Sequence, residues 1–334
     1  MRYGARGRGS IIGAVVAVVL TLASCSSGSD VKTADTAKDA GGAALEKTTL
    51  TVGILPVPDV APLYIAINKG YFKAEGLTVT PELMPGTAAG LNKQAGGGLD
   101  VILGNYMSVF TAQEKGVGKF KYLADCYQAG KNGFNVMVKS DSPIKTPADL
   151  KGKKVAVHSI GNIGDLSVVS TLKPYGLGRD DVQWVELPFP QQAQAIEDGR
   201  IDAGWMTEPF ITYAQKQFGA RSLVDTMDGA TKDFPIAGWS ATEKFIADNP
   251  KTAAAFQRAI GKAQAEAAAD REVVTAVVPT YTKIDRETAS VISLGTFPTS
   301  LSATRLQRVA DLMLALGFLT KELDVAAMLV PPAQ

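Results

Sequence analysis

Histidine and cysteine are nearly absent from this 334-residue chain, which holds one of the first (His158) and two of the second (Cys25 and Cys126). A protein metal site gathers three or four Cys, His or carboxylate ligands. One His and one interior Cys supply no such cluster, so neither a metal nor another cofactor is expected. His158 ends a strand-like run with no nucleophile motif beside it, and a general base needs a partner within hydrogen-bond reach. It reads as a structural histidine; no catalytic residue is assigned, and the chain does not read as an enzyme. Excess charge is missing as well: 34 basic residues face 33 acidic ones, a formal net charge of +1. That excludes the basic stripe of a nucleic-acid binder. Gly161-Asn162-Ile163-Gly164 matches neither a phosphate loop nor a dinucleotide fingerprint.

The one long apolar run is at the start. Arg2, Arg6 and Arg8 precede Ile11–Ala23, and Leu22-Ala23-Ser24-Cys25 follows. The run is shorter than the about 20 residues that a membrane span needs, and the order of basic, apolar and small residues reads as an export signal over 1–25. Leu-Ala-Ser-Cys resembles the bacterial lipobox, which implies a lipidated Cys25 and anchorage to the outer face of the cell membrane. The alternative is an ordinary cleaved signal with an incidental Cys. With Cys25 lipidated, Cys126 has no intramolecular partner and reads as a buried structural thiol. Residues 26–48 are rich in Ser, Gly, Ala, Lys and Asp, bury too little to offset their ordering entropy, and read as a flexible tether.

From residue 49 the composition is globular, with 46% hydrophobic and 20% charged residues overall. The stretch 49–110 repeats strand, loop and helix three times: strands at Leu50–Ile54, Leu77–Leu83 and Asp100–Leu103, with helices after each. This is one part of an α/β sheet. A second run of the same kind covers about 137–235, with strands at Lys154–His158, Val182–Leu187 and Ile201–Met206. Pro235–Ser240 reads as a returning strand. The helices that follow (Pro250–Arg271, Asp285–Leu294, Ser302–Leu316) carry apolar stripes at helical spacing and read as core. The expected architecture is α/β with two lobes, the second inserted in the first: lobe 1 over 49–136 and 236–334, lobe 2 over 137–235. The crossings are expected near 134–140 and 233–240, forming a hinge beside an inter-lobe cleft.

Several segments resemble a known family. Ala61-Pro62-Leu63-Tyr64, Lys69-Gly70-Tyr71-Phe72, Glu75-Gly76-Leu77 and Gly98-Leu99-Asp100-Val101 look like the opening of the nitrate-, sulfonate- and taurine-type substrate-binding proteins of ABC importers, a group that includes binders of thiamine-pyrimidine precursors. Asp149–Val157, Gly199-Arg200-Ile201-Asp202-Ala203, Glu208-Pro209 and Phe245–Pro250 continue the likeness. Each motif alone is weak; their order over 49–320 is specific. The resemblance implies a periplasmic-binding-protein-like fold and a monomer that captures a small solute and delivers it to an ABC permease. A ligand-presenting sensor lipoprotein is one alternative, and an enzyme of thiamine-pyrimidine synthesis on the same fold is another.

Ligands of open α/β sheets sit at the carboxyl ends of the strands, and the resemblance implies the same loops. The candidate contacts are Asp59, Gly86, Thr87, Asn105 and Tyr106 in lobe 1, and Ser159, Gly161, Asn162 and Glu208 in lobe 2. Gly86-Thr87 and Ser159–Gly164 precede helices, so their N–H groups and hydroxyls could cradle an anion, although helix capping uses the same residue types. Asp59 and Glu208 favour an amine, an amidine or a donor-bearing ring instead, and Glu208 has a structural alternative. Tyr106, Phe189, Trp205 and Trp239 fall near strand ends and suit a stacked heteroaromatic; Tyr106 is assigned to the ligand and Trp205 to the core.

Overall fold

A computed structural model describes residues 44–333; the export-signal segment, Cys25 and most of the tether lie outside the described residues. Among the described residues ten strands run in chain order: β1 (Thr49–Ile54), β2 (Thr78–Leu83), β3 (Val101–Asn105), β4 (Phe120–Gln128), β5 (Phe134–Val138), β6 (Lys154–Val157), β7 (Gln183–Glu186), β8 (Ala203–Thr207), β9 (Arg221–Asp225) and β10 (Pro235–Thr242). They form two five-stranded sheets, ordered β2-β1-β3-β10-β4 and β7-β6-β8-β5-β9. Strands such as β3 (VILGN) and β8 (AGWMT) are apolar along their length because helices cover both faces of the sheet, leaving no solvent face to alternate toward.

The two sheets share one plan. In the first, β1 pairs in parallel with β2 and β3, while β10 runs antiparallel between β3 and β4. In the second, β6 pairs in parallel with β7 and β8, while β5 runs antiparallel between β8 and β9. Each antiparallel strand is the one entered just after a crossing. The edge strand beside it is the one from which the chain leaves that sheet, β4 in the first and β9 in the second.

The crossings lie earlier than their expected positions. β5 pairs with β8 from Phe134 to Val138, so residues 134–136 belong to the second sheet and the first crossing is 129–133. The return crossing is 226–234. Both use conformations outside the strand region, at Asn132 (φ 61°) and Asp233 (φ 51°). They run side by side: Ala129 N–H donates to Phe234 O (2.8 Å) and Thr226 N–H to Phe134 O (2.9 Å).

The helical tail packs on the first sheet. Ala255, Phe256, Ala259, Ile260 and Ala263 of the helix Pro250–Ala269 are buried, and Gln257 Nε2 donates to Leu123 O of β4 (2.8 Å). The helix expected over 285–294 is shorter, Arg286–Val291, because Thr296 instead bridges Gln128 at the end of β4. β9 was not expected as a strand. Cys126 is free and buried, its thiol donating to Asp59 O (2.9 Å), and burial pushes its pKa up. Among the described residues no helix is long and apolar enough to cross a membrane.

Gly238 in β10 shows how tightly the first sheet is filled. A Cβ there would stand 2.8 Å from the Tyr106 hydroxyl and 2.9 Å from Ala124 O, a backbone atom that cannot step aside. Overpacking of this kind costs about 1–3 kcal/mol. Gly238→Ala should lower the urea midpoint accordingly, with an unchanged m-value.

Candidate functional site

Between the sheets lies a cavity of about 70 Å³. With the lobes as they stand it is smaller than the sites that enclose drug-sized ligands, about 300 Å³ and upward. The parallel strands aim their carboxyl ends at it: Leu55, Val57 and Asp59 follow β1, Thr87 follows β2, and Leu103 and Asn105 close β3. From the second sheet come His158, Ser159 and Asn162 after β6, Phe189 after β7, and Trp205 and Thr207 of β8. The two antiparallel strands offer their amino ends, Phe134 of β5 and Ile236 and Ala237 of β10.

Five of the nine candidate contacts line this cavity: Asp59, Thr87, Asn105, Ser159 and Asn162. Gly86 stands at its edge, where a Cβ would lie 3.3 Å from His158 Cε1 of the facing lobe. The other three are placed elsewhere. Tyr106 is fully buried in lobe 1, because its hydroxyl donates to Asp125 Oδ1 (2.9 Å), its ring packs on Tyr122 (4.6 Å between centroids), and Asp125 is in turn ion-paired with Arg305. Gly161 turns away with φ at 79° and lines a neighbouring groove. The Glu208 carboxylate is occupied, accepting from Thr212 N–H (3.1 Å), Thr212 Oγ1 (2.9 Å) and Ser293 N–H (3.0 Å). It ties lobe 2 to the segment that packs on the hinge through the backbone of Ser293. Burial raises its pKa although those donors oppose the shift.

The aromatic expectations divide the same way. Trp239 is buried edge-on to Phe256 (6.1 Å), away from the cavity. Phe189 and Trp205 do line it, the latter with its indole N–H held by Thr226 Oγ1 (2.9 Å). Phe134 joins them, stacked on Trp205 (5.7 Å), and His158 lies on Phe189 (4.7 Å). Phe134 was missed because only carboxyl strand ends were considered, and β5 enters antiparallel.

Capping and ligand roles separate on the hydrogen bonds. Asn105 caps the helix Tyr106–Glu114, its Oδ1 accepting from Met107 N–H (3.1 Å) and Ser108 N–H (3.4 Å). Asn162 caps Ile163–Leu172 with Oδ1 and reaches across the cleft with Nδ2 to Ser108 Oγ (2.6 Å). The anion cradle expected over Ser159–Gly164 is already filled. Asp165 accepts from Gly161 N–H and Asn162 N–H (both 2.8 Å), and Arg179 pairs with it from outside (2.8 Å). The hydroxyls of Thr87, Ser159 and Thr207 act as no cap and face the cavity.

Asp59 sets the electrostatics. It is 5% exposed, and its carboxyl oxygens accept from no other residue among the described ones. Desolvation raises its pKa to about 7, with its own backbone N–H the only opposing influence. No Lys or Arg lines the cavity among the described residues. Burial lowers the pKa of His158, partly opposed by Glu186, so its imidazole is neutral at pH 7.

An acid weaker in the folded chain than in the unfolded one binds its proton more tightly when folded. Stability from Asp59 is therefore full below about pH 4 and is lost as pH rises toward 7, by roughly 2–4 kcal/mol. Asp59→Asn should remove this slope. Urea unfolding at pH 4.5 and pH 8 should show the variant gaining on the wild type by that order at the higher pH; equal differences at both would contradict the burial of an ionised carboxyl.

The family described as NMT1/THI5 like matches residues 57–272. Nitrate import ATP-binding protein NrtC of Synechocystis sp. is 27% identical over 192 residues, 53% of this chain and 29% of that protein. Nitrate/nitrite binding protein NrtA of Nostoc sp. is 27% identical over 238 residues, 66% of this chain and 54% of that one. The matches thus span about a third and about half of these two relatives. A putative aliphatic sulfonates-binding protein of Bacillus subtilis is 26% identical over 254 residues, covering 75% and 71%. Among solved structures, the periplasmic aliphatic sulphonate binding protein SsuA of Escherichia coli superposes with a TM-score of 0.67 at 21% identity, covering 84% of this chain and 97% of that one. At that identity the likeness carries the fold alone.

Proposed function

The chain belongs to the NMT1/THI5-like family, and on that premise we propose that it is the extracytoplasmic solute-binding component of an ABC importer, without enzymatic activity. The observation that carries this reading is the cavity walled by both sheets, with Thr87 and Asn105 on one side and Ser159, Asn162 and Trp205 on the other. A solute touching both walls favours the closed arrangement by its differential contact with it. Asn162 Nδ2 on Ser108 Oγ (2.6 Å) is the latch, and the crossings at 129–133 and 226–234 are the hinge. The relatives named for nitrate and sulfonates, together with heteroaromatic rings, set the range of solutes to test, and the ATP-binding relative is in keeping with a membrane permease and ATPase as partners. Thr87, Ser159 and Thr207 hydroxyls supply the neutral polar contacts.

Lipidation of Cys25 would hold the protein at the outer face of the cell membrane, with the segment after it as tether. The lipobox-like Leu22-Ala23-Ser24-Cys25 supports this. Cys25→Ala should move the protein from the membrane to the soluble fraction; retention on washed membranes would contradict the anchor.

A thermal-shift panel of taurine, alkyl sulfonates, nitrate, pyrimidines and amines finds the solute, since a ligand at about 100 times its Kd adds about 2.7 kcal/mol. Small-angle scattering with the hit should show a smaller radius of gyration, and an unchanged profile at saturation would overturn the closing mechanism. Asn162→Ala should weaken binding about five-fold, the worth of one hydrogen bond of about 1 kcal/mol.

A further inference from the structure

Four features of the cleft bias it toward one sign of charge. Asp59 contributes a carboxyl that is 5% exposed and has no partner residue among the described ones. No Lys or Arg lines the cavity among them. The amino end of Ile163–Leu172, which would otherwise attract an anion, is already occupied by the carboxylate of Asp165. Opposite Asp59, the wall is aromatic: Phe134 and Phe189 flank Trp205 (5.7 and 5.9 Å between centroids). Ring faces carry negative potential and attract cations, and a buried carboxylate without a counter-charge is costly until one arrives.

We propose that the cleft selects a flat aromatic cation, a ring bearing a positively charged nitrogen group of the amidine or aminopyridine kind. The nitrogen group would bind Asp59 and the ring would lie against Phe134, Phe189 and Trp205. This rests on the reading of the cleft as a solute site and names the class that it takes. The charged group neutralises Asp59 on the lobe 1 side while the ring fills the lobe 2 side, so one ligand contacts both lobes. His158, neutral through burial, adds no competing positive charge. The helix Thr87–Ala95 keeps its amino end free of side-chain caps and can meet a hydrogen-bond acceptor on the same ring, which selects among such cations without reversing the preference for charge.

Benzamidine, benzamide, benzoate and benzenesulfonate share one ring and differ in charge, so calorimetric titration of the full-length protein with these four and with nitrate tests the proposal. Benzamidine should bind at least ten-fold more tightly than either ring anion, with benzamide between them. In Asp59→Asn the advantage of benzamidine over benzamide should vanish, and in Asp59→Glu it should persist; near-UV circular dichroism checks that both variants are folded. Nitrate, benzoate or benzenesulfonate binding as tightly as benzamidine would overturn the proposed class and leave the solute-binding reading standing. Heat from none of the five probes would overturn the proposed class, while the solute-binding reading would stand or fall on the thermal-shift panel. An undiminished preference for benzamidine in Asp59→Asn would overturn the proposal by removing Asp59 from it.

Discussion

Two backbone hydrogen bonds, Ala129 N–H to Phe234 O and Thr226 N–H to Phe134 O, hold the two crossings of the chain side by side, and the rest of the architecture follows from that pairing. A strand that enters a sheet from the crossing must run opposite to the strands that point at the cleft. Hence β5 and β10 are each antiparallel in an otherwise parallel set, and each presents its first residues to the cavity. The carboxyl ends of the parallel strands and the amino ends of these two converge on one space. A ligand site between the sheets is a consequence of connectivity before any side chain is chosen.

The side chains then give that space its character. Most of the polar groups near it are satisfied within the protein: Asn105 and Asn162 cap helices, Asp165 closes its own helix end, and Glu208 holds the Ser293 segment against lobe 2. Of the carboxyl groups just named and Asp59, Asp59 alone has no partner among the described residues. A buried carboxyl without a counter-charge lowers stability at neutral pH, and such a cost is borne at functional sites more than elsewhere. Electrostatic cost in the empty protein and affinity for a positively charged ligand are two views of one interaction.

Much of this was legible in the sequence. Strand, loop and helix order placed both sheets, because apolar runs bounded by Gly and Pro are local signals. The loops of the site followed from the rule about carboxyl strand ends, which brought in Asp59, Thr87, Asn105, Ser159 and Asn162. Tyr106 failed the same rule because the first residue of a helix can turn inward, and its partner Asp125 lies on another strand. Glu208 and Gly161 were misplaced for a related reason: the groups that claim them, Ser293 and Thr212 for the one and Asp165 for the other, compete with a ligand in ways that spacing does not reveal. Phe134 was missed because strand direction is a tertiary fact, fixed by the crossings. Solute class was the least legible feature, since it depends on which charges remain unpaired after folding.

The most direct test of this account is the titration of Asp59 itself. Carbon-13 NMR of the side-chain carboxyl, assigned by its loss in Asp59→Asn, should show an inflection near pH 7 in the empty protein, moving downward when benzamidine is bound. An inflection at or below pH 4 in the empty protein would mean that water or a cationic group already reaches the carboxylate, and the charge preference argued for the cleft would fall.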